Sequence, residues 1–210
     1  MHHPKIQSGI YGILEGQEKS QLLEIAQNLI KAQSSAIQIR AKCLTKENRW
    51  DLAQTLHQQM ADHAIKPLLI VNDDIELAEK LCCPIHLGQN DLPLAKVRKF
   101  LGKKWLIGYS THSLSEALSA QELGADYIGF GPIYQTQSKK DALKPRDLKE
   151  FKRVLQKIKI PVVAIGGLNG KNIDPLINLG AKNFAFLSAL HHPTFFEKTL
   201  PQIMEKINPK

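Results

Sequence analysis

Short apolar segments alternate along this chain with longer segments whose apolar residues recur every three or four positions. Residues 21–32 are typical of the longer kind, because Leu22, Ile25 and Leu29 fall on one side of a helix. The shorter segments are apolar on both faces, as buried parallel strands are. The pattern predicts strands at 9–14, 36–40, 67–71, 84–87, 105–109, 126–130, 161–165 and 183–187. It predicts helices at 21–32, 50–64, 75–81, 93–101, 114–123, 147–158, 173–179 and 194–207.

Eight strands, each followed by a helix, favour a parallel sheet with helices packed against it. A chain of 210 residues accommodates eight such units as a single compact (β/α)8 TIM barrel of the α/β class. A doubly wound open sheet is the alternative. No Gly/Ser linker or shift in composition divides the chain, so we predict one domain over 1–210. The apolar runs are far too short to span a bilayer, so no membrane contact is expected.

Composition and charge narrow the class of protein further. Hydrophobic residues make up 43% and charged residues 23%, which excludes a disordered or collagen-like chain. The net charge of +8 is dispersed along the chain, so no nucleic acid is expected as a partner. The three cysteines lack the spacing of a metal site, and the N-terminus has no apolar leader. These features predict reduced thiols in a cytoplasmic protein.

In a barrel of this kind, the chemistry takes place where the strands end and the following loops begin. Polar, charged and glycine residues collect at nearly all of these junctions. They occupy 38–42, 72–74, 88–91, 110–112, 131–139, 166–168 and 188–189. The placement predicts a functional site at the carboxyl ends of the strands.

Two aspartates follow neighbouring predicted strands. Asp73 comes after the third strand and Asp91 after the fourth, and neighbouring strands lie roughly 5 Å apart. Two such carboxylates, together with substrate phosphate oxygens, form an ordinary Mg²⁺ site. Either Asp73 or Asp74 could instead cap the helix that begins at Ile75. Asp73 alone favours a cap, whereas its pairing with Asp91 favours a metal.

Basic residues alternate at the end of the second predicted strand. Arg40 and Lys42 are therefore expected to point the same way, toward the barrel mouth, with Gln38 one step below. The planar fork of an arginine and the point charge of a lysine suit a diphosphate. Lys42 could be merely solvated, but Arg40 lies among apolar residues and needs a partner.

The last two junctions indicate a phosphate site. Gly166 and Gly167 follow the seventh strand, and Leu187 and Ser188 follow the eighth. Barrels often bind a phosphate here through backbone N–H groups. A tight turn explains the glycine pair equally well.

The longest junction follows the sixth strand and is rich in hydroxyls and lysines. Its Thr136, Ser138 and Lys139 could bind phosphates, or the segment could be an exposed basic loop. His112 is either an acid/base group or a polar residue of the first helical turn. His86, inside a predicted strand, is interpreted as a core histidine with satisfied hydrogen bonds.

At these residues the sequence resembles the thiamine-phosphate synthase family, whose members are (β/α)8 barrels. The matches follow the family's order between Gly9 and Ala189. Segment 38–42 is similar to its Gln-Leu-Arg-x-Lys, 71–73 to Ile-Asn-Asp, 86–91 to His-Leu-Gly-Gln-x-Asp, 108–112 to Gly-x-Ser-x-His and 125–133 to Ala-Asp-Tyr-x-Gly-x-Gly-Pro-Ile/Val. The chain departs from the family at Ser138, which replaces the second Thr of Thr-x-Thr-Lys. It also departs at Glu15-Gly16, where Thr-Asp is usual.

The resemblance implies a transferase that joins a pyrimidine methyl diphosphate to a thiazole phosphate, giving thiamine phosphate and diphosphate. It implies that the pyrimidine diphosphate is bound by Gln38, Ile39, Arg40, Ala41, Lys42, Asn72, Ser110 and Lys139. Arg40, Lys42 and Lys139 would assist departure of the diphosphate, and Asp73 and Asp91 would carry one Mg²⁺. The thiazole phosphate would be bound by Thr136, Gln137, Ser138, Gly167, Leu187 and Ser188.

Three alternatives stay open at the level of the sequence. The first is a relative on the same barrel, a thiazole tautomerase, although such relatives typically lack the diphosphate and Mg²⁺ residues. The second is a binding protein that kept the pocket and lost turnover. The third, a nucleic-acid-binding protein, rests on net charge alone. Small molecules are the expected partners, and a homo-oligomer is left open.

Overall fold

The computed structural model describes residues 5–61, 66–136 and 144–207. Within these ranges, eight parallel strands close into a barrel in sequence order. They are β1 (Gly9–Leu14), β2 (Ala36–Ile39), β3 (Leu68–Asn72), β4 (Ile85–Leu87), β5 (Ile107–Thr111), β6 (Tyr127–Phe130), β7 (Val162–Ala164) and β8 (Asn183–Phe186). The α-helices are α1 (Lys19–Lys31), α2 (Lys46–Ala61), α3 (Ile75–Leu81), α4 (Leu94–Leu101), α5 (Leu114–Glu122), α6 (Leu148–Lys157), α7 (Asp174–Asn178) and α8 (Leu200–Ile207).

The closure of the sheet confirms the predicted (β/α)8 barrel. Strand β1 pairs in parallel with both β2 and β8, and Gly9 lies opposite Asn183. An open, doubly wound sheet would have left β1 or β8 at an edge, so that alternative is wrong. No described helix is long and apolar enough to cross a membrane.

Strand β5 is the strand whose predicted position is furthest from the structure. It begins at Ile107, two residues later than predicted, because the preceding residues form a turn held by Arg98. The Arg98 guanidinium donates to the carbonyls of Gly102 and Trp105, at 2.9 and 2.6 Å. The shift extends β5 through Thr111 and thereby places Ser110 inside the strand.

Two helices differ most from their predicted ranges. Helix α2 begins at Lys46, four residues early, because the Thr45 hydroxyl accepts the N–H of Asn48 as an N-cap does. Its predicted end at residue 64 lies outside the described residues. The last predicted helix is divided into a π-helical turn, Phe195–Thr199, and the α-helix that follows it. A 3₁₀ helix at Ser188–His191 was not predicted.

The apolar residues form two layers. The larger cluster lies between the sheet and the surrounding helices, and the smaller one fills the barrel itself. The inner cluster is mostly aliphatic, but it includes Tyr11 and Tyr127, which are 2% and 1% exposed. Two phenols in the middle of a barrel need hydrogen-bond partners, because an unpaired buried hydroxyl is costly.

The three cysteines are not paired in disulfides. Cys43 and Cys82 are exposed, whereas Cys83 is buried. Burial raises the pKa of the Cys83 thiol to about 11. This thiol therefore stays protonated near neutral pH, as an inert structural cysteine does.

The ring of Tyr127 occupies the space where Gly108 would otherwise carry a side chain. A Cβ on Gly108 would lie 2.0 Å from Cζ of Tyr127. We expect Gly108→Ala to lower the free energy of unfolding by about 1–3 kcal/mol, since the rigid ring must shift in a packed core. A Cβ on Gly129 would meet its nearest atom, in His86, at 3.6 Å, which makes Gly129→Ala the matched control. Urea unfolding of both variants measures the difference, and equal losses of stability would contradict this packing argument.

Candidate active site

A pocket opens inside the barrel at the carboxyl ends of the strands. Its wall contains five of the residues predicted to bind substrate: Gln38, Arg40, Asn72, Ser110 and Leu187. The structure therefore brings together residues from β2, β3, β5 and β8 that are far apart in the sequence. Ile39 and Ala41 are buried beside them and do not line the pocket.

Arg40 lies at the mouth of this pocket in an ion pair. Strand β2 ends at Ile39, and the N–H groups of Arg40 and Ala41 both donate to the Leu14 carbonyl, at 3.1 and 2.8 Å. Ala41 has a φ of +31°, so the chain turns here. The expectation that strand alternation orients Arg40 and Lys42 alike is therefore wrong. The guanidinium of Arg40 forms an ion pair with the carboxylate of Glu15. Glu15 is therefore the partner expected for a charged residue among apolar neighbours.

Glu15 is a site residue that the residue-by-residue sequence reasoning missed. Its side chain is 13% exposed, and that of Arg40 is 19% exposed, so the ion pair is largely removed from water. The other carboxylate oxygen, Glu15 Oε1, is buried without a hydrogen-bond partner among the described residues. The available signal was an acidic residue directly after β1, at a strand end where functional residues collect.

The two adjacent aspartates after β3 have different roles. Asp74 caps α3, because its Oδ1 accepts the N–H of Leu77 at 3.0 Å, and its Oδ2 accepts the indole N–H of Trp50 at 3.2 Å. Asp73 does not cap the helix. It has a φ of +53°, and its Oδ2 lies 2.6 Å from Nζ of Lys42. The Asp73 carboxylate therefore has no part in capping α3 and lies beside Lys42 after the end of β3.

Asp91 belongs to the next loop around the barrel. Its Oδ2 accepts the N–H of Gly88 at 2.6 Å, which closes a short turn after β4. Strands β3 and β4 are paired, with Asn72 opposite His86, so Asp73 and the loop of Asp91 follow adjacent strands as predicted.

The donor set fits the Mg²⁺ that the sequence predicts. No cluster of three or more His, Cys, Asp or Glu side chains suited to a metal occurs in the described ranges. Two carboxylates that follow neighbouring strands are ligands of the kind that hold Mg²⁺ together with phosphate oxygens and water. The ion stays a prediction.

The glycine pair after β7 packs against the loop after β6. A Cβ on Gly166 would lie 2.5 Å from Cβ of Pro132, and one on Gly167 would lie 2.5 Å from the Gln135 carbonyl oxygen. Both glycines also have positive φ, +100° and +66°. Close packing and backbone conformation therefore explain the pair, and the packing shows that residues 132–135 lie next to the end of β7.

Four of the predicted thiazole-phosphate residues are described, and they lie toward one side of the barrel: Thr136, Gly167, Leu187 and Ser188. Thr136 directly follows Gln135, which touches Gly167, and Leu187 lines the pocket beside Ser188, where the 3₁₀ helix begins. The predicted site residues Gln137, Ser138 and Lys139 lie outside the described residues.

A chain of buried hydrogen bonds crosses the floor of the pocket. Gln38 Nε2 donates to the Tyr11 hydroxyl at 2.8 Å, and this hydroxyl lies 2.9 Å from the Tyr127 hydroxyl. The Tyr127 hydroxyl lies 3.0 Å from Nδ1 of His86, whose Nε2 lies 3.0 Å from Oγ of Ser110. Burial raises the pKa of Tyr11 and of Tyr127 well above the usual value, so both phenols keep their protons. His86 is a hydrogen-bonded core residue, as predicted, but it also lines the pocket.

His112 forms hydrogen bonds with Gly131 and Glu116. Its Nδ1 lies 2.5 Å from the Gly131 carbonyl, and its backbone N–H donates to Glu116 at 2.6 Å. Since a carbonyl can only accept, Nδ1 carries a proton. The ring thus ties β5 to the loop after β6, and the capping of α5 falls to Ser113, which accepts the N–H of Glu116.

The fold and the pocket together define a class of protein. Cationic and acidic side chains meet at the carboxyl end of a (β/α)8 barrel, above a pocket floored by neutral polar groups. This is the arrangement of a barrel enzyme that acts on a small molecule.

Comparison with known proteins specifies the family within that class. The family model described as thiamine monophosphate synthase matches residues 10–190. The thiamine-phosphate synthase of Shouchella clausii is 39% identical over 170 residues, which cover 80% of each chain. That of Syntrophomonas wolfei is 38% identical over 189 residues, 88% of this chain and 90% of the relative. The chain belongs to the thiamine monophosphate synthase family and is an enzyme of the transferase type.

Solved structures agree with this assignment. The thiamine phosphate pyrophosphorylase of Pyrococcus furiosus matches with a TM-score of 0.82 and 25% identity over 95% of both chains. A 3-hexulose-6-phosphate synthase, at 14% identity and a TM-score of 0.72, shares the barrel fold.

Proposed function

We propose that this chain is a thiamine-phosphate synthase. It would join 4-amino-2-methyl-5-(diphosphooxymethyl)pyrimidine to 4-methyl-5-(2-phosphooxyethyl)thiazole, giving thiamine phosphate and diphosphate. The observation that carries the proposal is Arg40, a largely buried cation at the mouth of a pocket whose deeper polar groups are neutral. A charged diphosphate at the mouth and an uncharged ring below it match this division.

The deeper part of the pocket suits an aminopyrimidine ring. The amides of Gln38 and Asn72 and the hydroxyl of Ser110 line it, together with apolar side chains such as Ile13 and Val163. An aminopyrimidine has a flat apolar face with hydrogen-bond donors and acceptors at its edge. Small-molecule sites are commonly built in this way, from apolar walls and a few placed polar groups.

The cations at the mouth would serve the leaving diphosphate. In the reaction, the bond between the methylene carbon and the diphosphate oxygen breaks, and its electron pair leaves with the diphosphate. Arg40 and Lys42 would stabilise that growing negative charge, and Lys139 is predicted to assist. Arg40 and Lys42 each lie beside a carboxylate, that of Glu15 and that of Asp73, and these ion pairs keep the two cations near the strand ends.

The second half of the reaction needs orientation more than acid/base chemistry. The thiazole nitrogen donates its lone pair to the methylene carbon, and no proton has to be removed. The phosphate of the thiazole would be bound by Thr136 and by the backbone around Gly167, Leu187 and Ser188. Holding the two rings face to face supplies much of the remaining rate acceleration.

Asp73 and Asp91 would hold the Mg²⁺ ion. When bound with the substrate, the ion would offset part of the charge on the diphosphate. The two carboxylates supply what this chain contributes to the site, and the phosphates would supply further oxygens.

Thiamine phosphate formation from the two substrates tests the proposal directly. The product and released diphosphate are quantified with Mg²⁺ and with EDTA, and reactions lacking either substrate are the controls. Equimolar thiamine phosphate and diphosphate, formed only with Mg²⁺, is the expected result. Isomerisation of the thiazole phosphate without coupling would overturn the proposal in favour of a tautomerase. Tight binding of both substrates without turnover would overturn it in favour of a binding protein.

A further inference from the structure

The buried hydrogen-bond chain under the pocket runs from Gln38 through Tyr11, Tyr127 and His86 to Ser110. Its members come from five strands, and the first four are less than 9% exposed. Only its two ends, an amide and a serine hydroxyl, are of the kind that the sequence assigned to substrate binding. The three aromatic residues between them are therefore a feature that the proposed reaction does not by itself explain.

The proton positions along the chain follow from its first member. The Gln38 amide donates to the oxygen of Tyr11, and among the described residues the Tyr11 hydroxyl has one other partner, Tyr127. Tyr11 must donate its single hydrogen to Tyr127, because a buried hydroxyl hydrogen without an acceptor is costly. Tyr127 then accepts from Tyr11 and donates its own hydrogen to Nδ1 of His86.

This order determines the tautomer of His86. A neutral imidazole that accepts at Nδ1 carries its hydrogen on Nε2, and this N–H donates to Oγ of Ser110. The hydroxyl hydrogen of Ser110 is then not used in the series of hydrogen bonds from Gln38 to Ser110. It is available to the pocket that Ser110 lines.

We infer that Tyr127, backed by Tyr11 and Gln38, is a positioning residue that holds His86 in the Nε2–H tautomer, so that Ser110 offers a hydrogen-bond donor to the substrate in the pocket. The identity of that substrate rests on the proposed function. The inference also removes His86 from the candidates for a general base, since its Nδ1 already accepts and its Nε2 already carries a proton.

Small residues and ring contacts inside the barrel make room for these hydrogen-bonded side chains. A side chain on Gly108 would overlap the ring of Tyr127, and Gly129 lies against the ring of His86. The rings of His86 and Tyr127 contact each other at a centroid distance of 5.4 Å, and those of Tyr11 and Tyr127 at 6.1 Å. The packing therefore holds each ring where its polar atom meets the next one.

The first test is spectroscopic and does not depend on turnover. Long-range ¹H–¹⁵N correlation spectra of ¹⁵N-histidine-labelled protein are assigned with His86→Gln, and they report which ring nitrogen of His86 carries the proton. The Nε2–H tautomer is expected in the unmodified protein, and a mixture with Nδ1–H is expected in Tyr127→Phe, which removes only the hydroxyl. An Nδ1–H signal in the unmodified protein, or an unchanged spectrum in Tyr127→Phe, would overturn the inference.

The second test is kinetic. Tyr127→Phe is expected to lower kcat about tenfold, the worth of one hydrogen bond in the transition state, with a smaller change in KM. Tyr109→Phe is the matched control, because its ring packs in the outer core and its hydroxyl has no part in the chain. In a His86→Gln background, where the amide can donate to Ser110 without a tautomer choice, Tyr127→Phe should cost little more. Full kcat in Tyr127→Phe would overturn the role in catalysis.

These outcomes are distinguishable from failure of the proposed function. If the unmodified enzyme makes no thiamine phosphate, the proposed function fails, while the tautomer of His86 is still decided by the spectra. If Tyr127→Phe does not fold, Tyr11→Phe provides a second test. It leaves His86 as the remaining partner of the Tyr127 hydroxyl among the described residues, so its spectrum is expected to keep Nε2–H alone, and an Nδ1–H signal would overturn the inferred order of donors.

Discussion

Replacing Arg40 with alanine is expected to lower kcat/KM for the pyrimidine diphosphate by about 100-fold or more. The guanidinium lies at the pocket mouth, and loss of one preorganised donor to a developing anion typically costs this much. Initial rates of thiamine phosphate formation at varied diphosphate substrate measure the loss. KM for the thiazole phosphate should change far less, because its predicted site lies beyond β6, β7 and β8.

The same substitution should also destabilise the protein. Without Arg40, the carboxylate of Glu15 would be buried at 13% exposure with no cation beside it. Breaking a buried pair in this way costs about 3–5 kcal/mol, measured as the free energy of unfolding in urea. The double variant Arg40→Gln/Glu15→Gln removes both charges and should recover much of this stability. Recovery of activity in the double variant would contradict the role of Arg40 at the diphosphate.

Replacing Asp73 with asparagine is expected to lower kcat/KM by about 100-fold and to raise the Mg²⁺ concentration needed for half-maximal rate. The change keeps the shape of the side chain but removes one of the two carboxylates proposed for the ion and the charge beside Lys42. Several kcal/mol of transition-state stabilisation by a metal correspond to a loss of this size. Rates across a Mg²⁺ titration measure both effects.

Asp74→Asn is the matched control, one residue along the chain. Asparagine caps a helix about as well as aspartate does, so the bond from the Leu77 N–H should survive, and activity and Mg²⁺ dependence should be unchanged. Equal losses in Asp73→Asn and Asp74→Asn would mean that the loop as a whole, and not the Asp73 carboxylate, supports the reaction. An unaltered Mg²⁺ requirement in Asp73→Asn would exclude it as a ligand.

Much of the architecture followed from local patterns in the chain. Strands apolar on both faces predicted the parallel sheet, and the alternation with helical segments predicted the barrel. The positions of Gln38, Asn72 and Ser110 in the pocket followed as well, because the carboxyl ends of parallel strands meet at one end of a barrel. The resemblance to the family added chemistry to these positions, and the comparisons confirm the family.

Other features depended on contacts between distant residues. The contacts of Asp73 and Asp74 distinguish their roles, because Asp74 accepts from Leu77 and Trp50 while Asp73 pairs with Lys42. Glu15 became the partner of Arg40 because β1 and β2 are adjacent, and a local pattern does not encode that pairing. The expectation for Arg40 and Lys42 failed where the strand ended one residue early.

The order of apolar and polar residues was thus sufficient for the barrel and for the end of the barrel that carries the site, and the motifs at the strand ends indicated the family by resemblance. The first two properties depend on periodicity and on the common direction of parallel strands. Tertiary structure alone decided which aspartate caps α3 and which acids form ion pairs with Arg40 and Lys42. It also decided how Tyr11, Tyr127 and His86 join in one series of hydrogen bonds. Those outcomes depend on ångström-scale distances between side chains up to 116 positions apart, which no local pattern specifies.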